Sequence, residues 1–346
     1  MPAEKVRIGI VGLGFMAATH IRAYQKVAAA EIVALCSPSG RHLDGDFSNV
    51  AGNINTGDPL KLDISKIKGF RDFNEMIAVP ELDVVDICSP TNSHMALAKA
   101  ALAAGKHVLC EKPMARTSAE AGEMVSAAKA AGRLLMPAMP LRFWPEWAWA
   151  REAVRENRYG RVLGARFRRV AEPPAWGHKH FGDGALSGGA LLDLHVHDTD
   201  FVQFAFGRPS AVYSRGYTKH TGAVDHVVTQ YEVPGGAIIH AEGSWAMSPG
   251  FGFSMSFTLN FERATVDYDM GRGAEALKVF EDGKASVIAC SGPDGYVREV
   301  EHLVSQVQAG ASSCAVTGED GLAAVQICEA EERSVRSGRL EPVLYT

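Results

Sequence analysis

The stretch GGALLDLHVHDTD, residues 188–200, brings Asp193, His195, His197, Asp198 and Asp200 together in one short segment. On a helix turning about 100° per residue, Asp193 and His197 stand at i and i+4, roughly 5–6 Å apart at Cβ, and Asp200 continues the stripe. His195 leaves the helix about 200° away from Asp193, and Asp198 also departs from the stripe. The remaining positions (Leu191, Leu192, Leu194, Val196, Phe201, Val202, Phe204) are apolar almost all round, so the helix is expected to be buried. A buried Asp–His–Asp stripe must meet polar partners or line a pocket. It could be an acid–base pair, a metal site or a core His–Asp hydrogen bond. A strand-borne His-x-His would aim both imidazoles at one ion. A helix separates them, and the sequence supplies no further His/Asp cluster, so no metal is expected.

A base needs a reaction, and the N-terminus suggests one. GLGFMA, residues 12–17, follows an apolar strand and precedes a helix, in the G-x-G-x-x-A form of a dinucleotide turn. Gly12 makes the tight turn, Gly14 lets the backbone approach a pyrophosphate, and the helix N-terminus faces the phosphates. The second strand would ordinarily end in an acid that holds the ribose hydroxyls. Here the run is EIVALCSPSGRH, with Ser37 in that place and Ser39 and Arg41 following. Two hydroxyls and a guanidinium suit a 2′-phosphate, which favours NADP, with NAD as the alternative. Residues 39–70 are long and rich in Gly, Asn and Asp, and are expected to form an ordered insertion near the adenosine end.

Composition narrows the setting. A net charge of −5 and a pI near 6.2 argue against nucleic acid or an anionic membrane as partner. RFRRV, residues 166–170, is the densest basic run and is too short to change that. No signal peptide fits the N-terminus and no apolar run reaches 18 residues, so a cytoplasmic protein is expected. The six cysteines show no CxxC pair. Cys36, Cys88 and Cys110 each end an apolar run and are expected to be buried thiols.

The elements follow from periodicity. VRIGIVG, EIVALC, VVDICS, HVLCE and RLLMPAM are continuous apolar strands, and alanine-rich helical patterns such as 94–105 and 118–132 lie between several of them. That pattern implies a parallel sheet covered on both faces. Beyond Pro145 come a helix at 147–157, the helix at 188–207, and alternating strands with a VPGG turn at 233–236. Helices around 295–310 and 319–337 close the chain. The expected fold is an α/β Rossmann domain over 1–140, then an α+β domain over 141–346 with a mostly antiparallel open sheet. HAEGSWAM and SMSFTLNF carry apolar residues on both parities, so a homodimer or homotetramer packed through that sheet is expected.

Three blocks, GLGFMA, SPTNSH with AGKHVLCEKPMA (89–94 and 104–115), and GGALLDLHVHDTD, resemble the Gfo/Idh/MocA family of oxidoreductases over essentially the whole chain. The resemblance implies a nicotinamide-dependent dehydrogenase acting on a sugar, a polyol or a related hydroxylated ring. It places Phe15 and Met16 of the turn, and Pro90, Thr91, Asn92 and His94, beside the cofactor. Glu111 and Lys112 would flank the nicotinamide. The family's lysine, aspartate and histidine correspond to Lys112, Asp193 and His197, and Pro113 would follow a cis peptide bond. Arg142 resembles an arginine that faces the pocket, and Trp176 is a candidate to stack on a sugar face. His197 would act as base, Lys112 would hold the reacting oxygen, and Asp193 would hold a neighbouring hydroxyl or orient the other two. Two departures stand out: the acid after the second strand is missing, and His195-Val-His197 replaces the Gly-x-His of many relatives. Some family members are cofactor-binding sensors, and others use the nicotinamide in glycoside cleavage.

Overall fold

VRIGIV shows no polar alternation because both faces of its strand are covered. The computed structural model describes residues 4–50, 52, 59–175 and 178–346. Contacts divide the chain into two compact units, one of residues 1–140 with 293–322 and one of 141–292 with 323–346. In the first unit, β1 (Val6–Val11), α1 (Phe15–Tyr24), β2 (Ala30–Cys36), β3 (Lys68–Phe70), α2 (Phe73–Ile77), β4 (Val84–Ile87), α3 (His94–Ala103), β5 (His107–Cys110), α4 (Ser118–Ala131) and β6 (Leu135–Pro137) alternate. Among the described residues these strands form one sheet in the order β3-β2-β1-β4-β5-β6, all pairs parallel. The order reverses beside β1, so the C-terminal ends of β1 and β4 border the crevice where such sheets bind ligands. Thr117 and Glu120 form a reciprocal capping box that starts α4, and Gly132, at φ 59°, ends it.

The second unit opens with α5 (Pro145–Arg155) and β7 (Val162–Ala171), followed by four helical pieces: α6 (His178–Phe181), α7 (Gly184–Ser187), α8 (Gly189–Asp193) and α9 (Val196–Phe206). Strands β8 (Ala211–Tyr217), β9 (His226–Glu232), β10 (Ile238–Ser244), β11 (Phe253–Phe261), β12 (Ala264–Asp269), β13 (Leu277–Glu281) and β14 (Lys284–Val287) follow. Helices α10 (Gly295–Gln308) and α11 (Gly318–Ser337) and the short β15 (Glu341–Pro342) end the chain. The described strands form a sheet ordered β14-β13-β12-β11-β7-β10-β9-β8-β15, antiparallel except for the β7–β10 pair. Its covered face packs on Trp147, whose ring meets Phe167, Phe201, Phe257 and Tyr268. The apolar residues of β11 (Met255, Phe257, Leu259, Phe261) all lie on that covered face. Its other parity is Ser254, Ser256, Thr258 and Asn260, so this strand is not apolar on both sides as expected.

Two further differences have plain causes. The segment 293–322, expected in the second domain, belongs to the first unit. Val297, Val300, Leu303 and Val304 make one buried stripe on α10, and that stripe packs against α1 and β1. β3 has only the residues KGF, too short and glycine-broken to stand out as a strand, yet it adds an edge beside β2. Among the described residues no helix is long and apolar enough to cross a membrane.

Trp147 is fully buried at the centre of an aromatic cluster. Trp147→Ala should cost about 3–5 kcal/mol through the cavity it leaves. Urea unfolding would measure this, and a loss below about 1 kcal/mol would contradict the packing described.

Candidate functional site

The dinucleotide turn is built by two glycines with different tasks. Gly12 has φ +88°, and a Cβ there would stand 2.4 Å from the Ser89 amide nitrogen, so only glycine lets the turn lie on the end of β4. Among the described residues, apart from its chain neighbours and the backbone of its own helix, no atom lies within 4 Å of where a Gly14 Cβ would be. Gly14 is also the N-cap of α1, which has neither a side-chain cap nor an acid in its first turn. An open cradle at the positive end of a helix fits a pyrophosphate.

At the end of β2, Ser37 is buried and its hydroxyl lies 3.2 Å from that of Ser39. The amide of Arg41 approaches the Ser39 hydroxyl at 3.4 Å, and the Arg41 side chain is exposed. A cation that sequence reasoning missed also stands here. Arg71 follows β3, and a Cβ on Gly40 would lie 2.5 Å from its guanidinium. The signal was Phe70–Arg71 at the end of an unrecognised strand. The described part of the insertion is ordered: the Phe47 amide donates to the Leu60 carbonyl at 2.9 Å, and Phe47 is buried. A Cβ on Gly52 would lie 1.9 Å from the Phe15 ring, so the insertion reaches back to the dinucleotide turn.

The SPTNSH segment forms a 3-10 turn over Thr91–Ser93 that leads into α3, with Thr91 buried and Pro90 and Asn92 exposed. His94, expected beside the cofactor, is itself buried. Its Nδ1 lies 3.0 Å from the Pro113 carbonyl and its Nε2 2.8 Å from the Ser89 carbonyl. It therefore braces the two loops, and its ring is taken up by the protein. Burial holds its pKa below the ordinary value, against the hydrogen bonds to Ser89 and Pro113. The Lys112–Pro113 bond is cis, as the resemblance implies. Lys112 is half-buried, and its amide donates to Glu111 Oε2 at 3.0 Å.

Beneath that loop lies a buried polar cluster. His20 Nδ1 is 2.8 Å from Asp86 Oδ2, and its Nε2 is 3.1 Å from Glu111 Oε1. Burial opposes a charge on His20, but Asp86, Cys88 and the Asp86 hydrogen bond hold its pKa well above the ordinary value. Burial would raise the Glu111 pKa, yet the His20 hydrogen bond and charge, with Lys112, hold it low. Cys88, expected to be buried, is half-buried, and its thiol sits 3.4 Å from Asp86 and 3.6 Å from His20. His20, Asp86 and Cys88 bring three ligating atoms within 4.8 Å of one another. Tetrahedral zinc ligands, bound at about 2.0–2.3 Å, stand roughly 3.3–3.7 Å apart. The 2.8 Å His20–Asp86 contact is too short for a shared ion and has the length of a charge-assisted hydrogen bond.

In the second unit the thirteen-residue stretch is not one helix. α8 ends at Asp193, the His195 amide donates five residues back to Ala190 at 2.8 Å, and α9 starts at Val196. The break takes Asp193 and His197 off a single uninterrupted helix. Gly188 and Gly189, which open this stretch, serve the backbone. Their φ values are +80° and +68°, and a Cβ on Gly189 would lie 2.7 Å from the Val224 carbonyl.

Three of the five polar residues are committed to buried partners. His195 Nε2 meets the Tyr231 hydroxyl at 3.0 Å and Glu331 at 3.3 Å, and its ring lies directly on Gly243. Asp198 pairs with Arg169 at 2.7 Å, and Asp200 takes both arms of Arg142 at 2.8 and 2.6 Å. Arg142, expected to face a ligand, is thus gripped by Asp200 because both are buried and each neutralises the other. Asp193 is buried and His197 half-buried. Of RFRRV, Arg166 and Arg168 face outward toward Glu242, and only Arg169 turns inward. Trp176 lies outside the described residues.

Comparison with known proteins gives a consistent result. Residues 6–139 match the model described as "Oxidoreductase family, NAD-binding Rossmann fold", and residues 147–267 match the GFO/IDH/MocA C-terminal domain. The chain is 27% identical to the myo-inositol 2-dehydrogenase of Thermotoga maritima over 98% of this chain and 100% of that one. It is 30% identical to the levoglucosan dehydrogenase of Pseudarthrobacter phenanthrenivorans over 60% of this chain and 53% of that one. A solved levoglucosan dehydrogenase in complex with NADH and levoglucosan shares the fold at a TM-score of 0.83. That match has 22% identity and covers 99% of this chain and 100% of the other.

Burial lowers the His195 pKa, but the charge and hydrogen bond of Glu331 outweigh it and leave the pKa raised. A raised folded-state pKa means the pair contributes fully below about pH 6.5, and the contribution is lost as pH rises through the folded value. His195→Gln should therefore cost most near pH 6, about 3–5 kcal/mol for a broken buried pair, and less toward pH 9. Thermal unfolding across that range checks it; a penalty that grows with pH would contradict the assignment.

Proposed function

Because the chain belongs to the Gfo/Idh/MocA oxidoreductase family, we propose that it is a nicotinamide-dependent dehydrogenase. Its substrate is a sugar, a polyol or a related hydroxylated ring. The observation that carries this reading is the open cradle at Gly14 on an uncapped helix N-terminus. Support comes from relatives named as inositol and levoglucosan dehydrogenases. The nicotinamide, when bound, accepts or returns the hydride of the reacting carbon. The His197 imidazole takes the hydroxyl proton, since its ordinary pKa lies near neutrality. Lys112 holds the same oxygen and stabilises the negative charge that develops there. Asp193 holds a neighbouring hydroxyl or orients those two groups. Arg142 acts indirectly, by fixing Asp200 and with it the start of α9.

The cofactor is NADP in preference to NAD. Ser37 and Ser39 offer hydroxyls at the strand end, and Arg71 joins Arg41 as a cation beside them. The outward sheet face supports a homodimer or homotetramer. Ile238 on β10, Tyr213 and Tyr217 on β8, and Val228 on β9 are exposed there. A monomeric mass in light scattering at micromolar concentration would overturn the association.

His197→Ala should lower kcat by about 10²–10⁴-fold on a confirmed polyol while cofactor affinity stays nearly unchanged. Single-turnover hydride transfer reads this directly, and a kcat within about threefold of wild type would remove His197 from the base role.

Arg71→Ala should weaken NADP⁺ binding by about tenfold or more, the worth of one charge-assisted phosphate contact, and leave NAD⁺ binding unchanged. Calorimetric titration with both cofactors separates the two. Equal affinities in the unaltered protein would argue for NAD.

A further inference from the structure

His20 lies in the helix that opens at the dinucleotide turn, yet its ring faces the sheet. Carboxylate oxygens approach both nitrogens, at 2.8 Å from Asp86 and 3.1 Å from Glu111. Only the Asp86 contact has hydrogen-bond geometry; Glu111 faces Nε2 as a charge at ion-pair distance, and two carboxylates beside one ring favour its protonated form. Glu111 is held from two sides, because its other oxygen accepts the Lys112 amide. One ring thus connects α1, the end of β4 and the residue that precedes Lys112.

A fourth element completes the cluster. Glu299 on α10 is fully buried, and it faces the charges of His20, Glu111 and Asp86. Asp86 and Glu111 already outnumber His20 by one negative charge. A third ionised carboxylate in that dry space is unfavourable, so Glu299 carries its proton. Burial and the two carboxylates push its pKa well up, against His20. The groups facing His20 are Tyr24 from α1, Asp86 on β4 with Cys88 just after it, Glu111 just after β5, and Glu299 from α10.

We propose that His20 is a positioning residue for Lys112. Clamped between Asp86 and Glu111, it ties the helix of the dinucleotide turn to the loop that carries the lysine. Filling of the turn and placement of Lys112 are thereby coupled. The role of Lys112 in this inference rests on the dehydrogenase reading above.

The test uses the full chain with ¹⁵N-labelled histidine side chains, followed by NMR from pH 6 to 9 with and without NADP⁺. His20 should stay doubly protonated throughout, and its resonances should move when NADP⁺ is added. Glu111→Gln should let His20 lose its proton at lower pH, whereas Glu299→Gln, which keeps a neutral group, should leave its titration unchanged. In turnover, His20→Gln should lower kcat about 10–100-fold, the scale of a displaced catalytic group, with the substrate KM within about twofold. A neutral His20 at pH 7, or His20→Gln with unaltered kcat, overturns the proposal. If no polyol is oxidised, the dehydrogenase reading fails alone. The spectra still decide the clamp, and His20 resonances indifferent to both Glu111→Gln and NADP⁺ refute it.

Discussion

A charge taken out of water must meet a counter-charge, and that constraint arranges both units. In the first, one imidazole separates two carboxylates, Asp86 and Glu111, that could not otherwise lie buried close together. In the second, Arg142 meets Asp200, Arg169 meets Asp198, and His195 meets Glu331. Each of these pairs joins positions distant in sequence, and the Arg169–Asp198 pair fixes the start of α9 against β7. The apolar packing around Trp147 supplies the bulk of the second unit's core, while the ion pairs, being directional, choose one arrangement within it.

The parts of the fold set by local rules were legible in the sequence. Continuous apolar strands, the glycine at 132, and the GLGFMA turn need only neighbours a few residues away, and the parallel sheet follows from them. Parts set by distant partners were not. Nothing in VREVEHLVSQVQ says that its stripe packs on α1 instead of on the sheet that precedes it in the chain. Arg71 gained a place beside Ser37 and Ser39 only because KGF pairs with β2, a partnership too short to show as periodicity.

The site shows the same division. Ideal helical spacing puts Asp193, His197 and Asp200 on one stripe, but that spacing assumes an unbroken helix. The break at Leu194–His195 arises where His195 must turn inward to reach Tyr231 and Glu331, residues that lie 36 and 136 positions further on. No local pattern encodes a partner that remote. The residue types were informative where their order was not: an excess of His and Asp in an apolar segment had to be matched by arginine, tyrosine or glutamate somewhere in the fold.

His20 and His195 reach the same solution from different starting points. Each is a fully buried ring, His20 on α1 and His195 at the break between α8 and α9, and each is held above its ordinary pKa by carboxylates from other elements. They differ in what those carboxylates serve. Glu331 has Tyr231 and Thr199 as its other neighbours, so the His195 network closes on itself inside the core. Glu111 instead passes its second oxygen to the backbone of Lys112, so the His20 network opens onto the loop that holds the lysine. A buried imidazole is structural when every partner around it ends in the core. It bears on chemistry when one acceptor leads on to a group that is only half-buried, as Lys112 is.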